Sequence, residues 1–219
     1  MNLIGIDYSV NSPAAFKIVL DDSWNCFGYE CIGFTDTIKI SKLDPSLYYY
    51  RKDQFKNYID QIIWFRQKIW DFLKLQLDDI VAFEGYAFMA IGRVFNIAEA
   101  TYSLKEKIYE NGNPIKLYPP KTMKKFFANT GNANKDLMIS TFNQSEFSNL
   151  LKHLPDKNSP KEDLVDAFYV AKLLEYEMKL RKSIINRDTL NKKQLEVFFK
   201  TAKKKNIPLY DQEFLKKEI

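Results

Sequence analysis

The chain has 219 residues, is 46% hydrophobic, 28% charged and 15% aromatic, and carries a formal net charge of +5. That length fits one large domain, or one domain with a short appendage, and the composition is that of a soluble globular protein with a sizeable core. No run approaches the roughly 18 apolar residues of a membrane span, and the N-terminus opens straight into a strand pattern rather than a signal peptide.

Two cysteines, Cys26 and Cys31, lack histidines or a second pair at zinc spacing. Free thiols in a reducing cytoplasm are expected. Charge is uneven: residues 1–110 are slightly acidic and residues 111–219 markedly basic. Such asymmetry suits a polyanion partner. Part of the lysine excess follows a bias toward Lys, Ile, Asn, Phe and Tyr, the signature of an AT-rich genome.

Residues 2–7 and 14–20 read as strands around the turn Ser9-Val10-Asn11-Ser12-Pro13, a hairpin with Asp7 near its open end. A third strand is expected within 27–40. Residues 41–51, with Asp44-Pro45 and Tyr48 to Tyr50, read as loop. From Lys52 to Leu77 the apolar positions Phe55, Ile59, Ile62, Phe65, Ile69 and Phe72 follow a helical period. A buried strand is expected over 79–84, a helix over 93–110 and a brief strand at 115–118.

Pro119-Pro120 then opens a short basic helix over 120–127, since proline suits a first turn. Further helices are expected over 134–142 and 159–182. Ser159, Pro160 and Glu162 have capping-box spacing, which directs Glu162 back to the Ser159 amide. The remainder, 183–219, is a basic extension with helical pieces near 190–204 and 211–218. This order predicts an α/β domain over 1–182, with a mixed five-stranded sheet and helices on both faces, followed by the helical extension.

Four acids stand out. Asp7 ends Leu3-Ile4-Gly5-Ile6, and Glu84 ends Ile80-Val81-Ala82-Phe83. Asp163 and Asp166 lie three apart on the late helix, which puts them on one face with Cβ atoms about 5–6 Å apart. Carboxylates near a core are costly unless something pairs them, and a divalent cation is the usual partner. Two Mg2+ ions, with Mn2+ as substitute, suit an all-carboxylate shell and in-line phosphodiester hydrolysis. The sole histidine, His153, lies in a loose segment, which argues against a Ser-His or Cys-His triad and excludes a histidine-rich metal site. None of the seven glycines falls in a GxG arrangement, which argues against actin-like ATPases, sugar kinases, Walker and Rossmann sites.

Ile4-Gly5-Ile6-Asp7-Tyr8-Ser9 resembles the first motif of RuvC-type Holliday junction resolvases, especially phage RuvC-like endonucleases. Phe83-Glu84-Gly85-Tyr86-Ala87-Phe88, followed by Arg93-Val94-Phe95, resembles the second. Tyr118-Pro119-Pro120-Lys121, Lys124-Lys125-Phe126-Phe127 and Gly131 to Asp136 are similar to the basic third block. Asp163-Leu164-Val165-Asp166-Ala167 matches the closing D-x-x-D-A. The resemblance spans about residues 2–175 and implies a ribonuclease H-like fold and a homodimeric, metal-dependent endonuclease resolving four-way DNA junctions; against the compact bacterial members, the insertion around 21–51 is longer and the tail after about 183 is extra. Asp7, Glu84, Asp163 and Asp166 carry over as metal ligands, and Lys135, with Lys125, as lysines near the scissile phosphate. Lys121, Lys124 and Arg93 are further DNA-binding candidates. Helix 93–110 is a candidate dimer surface, and Tyr48 to Tyr50, Tyr86 or Phe88 a candidate wedge into the junction. A flap or branched-DNA nuclease, a ribonuclease H and a non-catalytic DNA-binding protein remain alternatives. Glu84 at a strand end, rather than on a first helix, favours the resolvase group.

Overall fold

Leu3, Ile4 and Ile6 have no solvent exposure, so the first strand (β1, Asn2–Asp7) lies inside the sheet rather than at its edge. The computed structural model describes residues 1–85, 94–156, 160–200 and 207–217. After β1 come β2 (Ala14–Leu20), β3 (Cys26–Thr35), a short helix α1 (Ile38–Ser41), β4 (Leu47–Tyr49), α2 (Tyr58–Leu73), β5 (Ile80–Glu84), α3 (Val94–Glu110), β6 (Ile115–Tyr118), α4 (Pro120–Ala128), α5 (Lys135–Asn143), α6 (Lys161–Arg181) and α7 (Lys192–Phe199). The strand order is β4-β3-β2-β1-β5-β6. β2 runs antiparallel to β1 and β3, whereas β1–β5, β5–β6 and β3–β4 are parallel pairs.

The sheet therefore has six strands where five were expected. The sixth is Leu47–Tyr49, inside the segment read as loop, which pairs in parallel with Gly33–Thr35. Three residues are too few for a strand pattern to register in sequence. A second correction concerns Asp7. Its register partner is Ala14, so it sits beside the turn of the hairpin, not at the open end. A third is the start of α2. Residues 52–54 form a separate 3-10 turn, and the helix begins only after Asn57, whose side chain accepts from the Asp60 amide.

Alternation along the strands divides the core into two layers. Leu3, Ala14, Phe16 and Ile18 pack with α6 and the helices around it. Ile4, Ile6, Ala15, Val81 and Phe83 pack with Ile62, Phe65 and Ile69 of α2 and with Ala100, Leu104 and Ile108 of α3. α6 is buried on most sides, from Leu164 to Leu180, which is why its apolar positions trace no single stripe. On α3, Ile97 and Ala98 are half-buried while Thr101, Leu104 and Ile108 are buried.

The residues after α6 pack tightly on the rest. Phe198 is fully buried and its ring lies 5.5 Å from that of Phe126 on α4. Lys116 donates to the carbonyls of Leu209 and Gln212 and pairs with buried Glu177 at 2.9 Å. Arg181 also reaches Glu177 and the Tyr210 carbonyl. Leu215 bridges to Ile115 on the β6 edge. Residues 211–217 are thus a 3-10 turn and extended chain rather than the expected helical piece. Cys26 and Cys31 are free thiols. Among the described residues no helix is long and apolar enough to cross a membrane.

Candidate active site

Asp7 and Glu84 follow consecutive paired positions. β1 and β5 are parallel with Ile6 opposite Phe83, so the next residues leave the sheet side by side at its carboxyl rim. α6 crosses the same place. Gly5 has no side chain, and a Cβ there would stand 2.2 Å from both the Ala167 carbonyl oxygen and the Ala171 nitrogen. The glycine thus lets α6 lie directly on the β1 backbone, bringing Asp163 and Asp166 to the carboxylates at the strand ends.

The four acids act on each other. Asp7 is pushed well above the usual carboxylate range by burial, then by the charges of Glu84, Asp166 and Asp163. It hydrogen bonds to Glu84, a contact that raises Asp7 further. Burial also raises Glu84, with the Asp7 hydrogen bond and the charges of Lys124 and Lys135 pulling it back. Asp166 is raised to about 7 by burial and by Glu84. Asp163 is raised by burial and held back by a hydrogen bond from Ser12 and by Lys135. Like charges packed this closely favour protons or cations between them. Among the described residues no three acidic, cysteine or histidine side chains meet as a finished metal cage. The donor set is nevertheless hard oxygen at a common rim, which fits Mg2+ or Mn2+ and not a thiolate- or imidazole-seeking metal.

The turn at residues 8–13 is pinned from two sides. Tyr50 donates to the Asn11 carbonyl at 2.7 Å, and Gln61 donates to the Val10 carbonyl at 3.1 Å. Ser12 is thereby held on Asp163, while its amide is bonded to the Ser9 hydroxyl. Ser12 was not singled out from sequence, where it is one polar turn residue among several.

Lys135 opens α5, whose cap is Asn134. The positive end of a helix dipole disfavours a cation there, and Glu162 offsets this with an ion pair at 2.6 Å. Burial works against the Lys135 charge. The Glu162 hydrogen bond and the fields of Asp163, Glu162 and Asp166 outweigh it and raise the lysine. Glu162, read from the sequence as a capping residue for the Ser159 amide, pairs with Lys135 through Oε2. Pro160 is the N-cap of α6 and makes no side-chain cap bond; Ser159 lies outside the described residues.

α4 starts beside Glu84, because the Gly85 amide donates to the Tyr118 carbonyl at 2.7 Å, one residue before Pro119-Pro120. From α4, Lys124 acts on Glu84 and Asp166, and Lys121 is exposed. Lys125 instead pairs with Glu196 of α7 at 2.8 Å. Arg93, Tyr86, Phe88 and the run Lys203 to Lys205 lie outside the described residues. Tyr50 is buried, and Tyr48 and Tyr49 are exposed on β4. His153 pairs with Asp44 at 2.5 Å.

No protein-family model and no curated relative matches the sequence. Solved structures do match. Thermus thermophilus RuvC superposes with a TM-score of 0.53 at 16% identity, covering 84% of this chain and 97% of that one. A structure of T. thermophilus RuvC in complex with Holliday junction substrate gives 0.52 at 16% identity, covering 84% and 96%. The fowlpox virus Holliday junction resolvase gives 0.43 at 16%, covering 82% and 99%. The fold is that of the T. thermophilus RuvC structures.

Proposed function

We propose that this protein is a divalent-metal-dependent endonuclease that resolves four-way DNA junctions by paired symmetric nicks. The observation that carries the reading is the gathering of Asp7, Glu84, Asp163 and Asp166 at one rim of a RuvC-like fold, where burial raises all four carboxyls and the charges of the neighbouring acids raise Asp7 and Asp166 further. The likeness to a RuvC bound to Holliday junction substrate supports the choice of DNA.

In this reading the four carboxylates hold two Mg2+ ions. When bound, such ions activate a water and stabilise the departing 3′ oxygen. The chain's own residues do the rest. Ser12 orients Asp163. Lys135, beside Asp163 and Asp166, neutralises charge developing on the phosphate oxygens. Lys121 and Lys124 on α4, together with Arg93, hold the flanking backbone, and Lys125 does so from its pairing with Glu196.

Two symmetric nicks call for two active sites, which a C2 homodimer supplies. α3 has a suitable face, since Phe95, Tyr102 and Tyr109 recur every seventh residue and are 79%, 63% and 40% exposed. Residues 1–182 form the nuclease domain and act in the cytoplasm. The test is a substrate panel. Purified protein with Mg2+ is given a four-way junction, a flap and an RNA–DNA hybrid. Preferential paired nicking of the junction supports the reading; preference for the flap or hybrid replaces it.

A further inference from the structure

The C-terminal residues place one carboxylate among three lysines. Glu196 on α7 pairs with Lys125 of α4 at 2.8 Å, with Lys200 at 3.1 Å and with Lys193 at 4.0 Å. Lys193 and Lys200 keep half or more of their side-chain surface in water, so the group retains a surplus of accessible positive charge. α7 is not a loose tail. Val197 and Phe198 are buried, Asn191 and Gln194 form a capping box, and Phe199 packs on Tyr210 at 5.0 Å. The lysines are therefore fixed relative to α4.

α4 is itself fixed relative to the four acids, because its first residues follow the Tyr118 carbonyl that accepts from Gly85. Lys124 acts on Glu84 and Asp166, and its neighbour Lys125 is joined through Glu196 to Lys193 and Lys200. We infer that α7 is a docking surface for a duplex DNA arm leaving the cleavage site, with Lys193 and Lys200 on its phosphates and Glu196 fixing Lys125 in line with them. The occupant is chosen by charge and by continuity with the carboxylate rim. The inference rests on the nuclease reading and extends its footprint beyond α4.

The test is equilibrium binding of a labelled four-way junction to the full-length protein without divalent metal, from about 50 to about 200 mM salt. Each lost phosphate contact lowers the slope of log affinity against log salt by about 0.9. Lys193→Gln/Lys200→Gln is expected to make the affinity lost across that range about tenfold smaller than in wild type. Lys74→Gln/Lys182→Gln, at the opposite ends of α2 and α6 from the acids, is expected to match wild type. An unchanged slope in the α7 variant, or an equal drop in the control, overturns the surface while leaving nicking untouched. Loss of slope confined to the α7 variant supports the surface even if wild type fails to nick, in which case the nuclease reading falls by itself. A wild-type protein that binds no junction overturns both.

Discussion

Gly5 and Ala167 touch backbone to backbone: a Cβ added to Gly5 would stand 2.2 Å from the Ala167 carbonyl oxygen. This contact sets the height of α6 over β1, and with it the distance of Asp163 and Asp166 from Asp7. Gly5→Ala must push the helix off the strand. Overpacking of this kind costs about 1–3 kcal/mol and sometimes more. The variant is expected to melt several degrees lower and to lose nicking in proportion beyond what its folded fraction explains. Thermal melts paired with nicking rates check this; wild-type values for both would refute the positioning role.

The raised carboxyls make the metal-free protein sensitive to pH in a defined direction. An unfolded Asp titrates near 3.9, whereas Asp166 in the fold is raised to about 7, first by burial and then by Glu84. Between those values the folded state holds more protons, so stability falls as pH rises from about 4 to about 7. Above that window the charges repel in full. Denaturation midpoints in chelator are expected to drop across this range, and Asp166→Asn is expected to flatten the drop. Mg2+ is expected to restore far more stability at pH 8 than at pH 5. A midpoint rising with pH in wild type and unaltered in Asp166→Asn would contradict the mutual repulsion.

Glu162 and Lys135 form the next pair. Glu162→Gln leaves the lysine at a helix N-terminus without its partner. The expected result is a roughly tenfold lower nicking rate, with junction affinity equal or tighter because a negative charge is gone. In a Lys135→Met background the same change is expected to add nothing. Full additivity of the two rate losses would reduce Glu162 to a structural residue.

Much of this was legible in the chain. Asp7, Glu84, Asp163 and Asp166 each end or begin a strongly apolar run, and strand-end carboxylates have few bland uses. The register of β1 against β5, which makes Asp7 and Glu84 neighbours, is a non-local pairing that no local pattern reports. Glu162 has the spacing of a capping residue, and its pairing with Lys135 depends on the arrival of α5, which no local pattern reports. Leu47–Tyr49 is too short for a periodic signal, and its strand exists because β3 offers an open edge. The basic extension reads only as helical pieces, since its anchors, Lys116 and Arg181, lie in other elements.

Those anchors yield a stability prediction. Lys116 and Glu177 are 2% and 0% exposed, and Tyr118 donates to the same carboxylate at 2.8 Å. Lys116→Met removes one partner of a buried pair, a change that costs about 3–5 kcal/mol, moderated by Arg181. Residues 207–217 are expected to become cleavable by protease at concentrations that leave wild type intact. Equal resistance would show that the Leu209 and Gln212 carbonyls do not depend on Lys116.

The account stands or falls on the four carboxylates acting together on a phosphodiester. An immobile synthetic junction incubated with wild type and with Asp7→Asn, with and without Mg2+, reads this directly when the nicks are mapped at nucleotide resolution. The expected result is Mg2+-dependent paired nicks at symmetric positions with wild type, and none with Asp7→Asn, which still binds the junction because lysines and phosphates carry affinity. Nicking retained by Asp7→Asn, or wild-type nicking that persists in chelator, would contradict it.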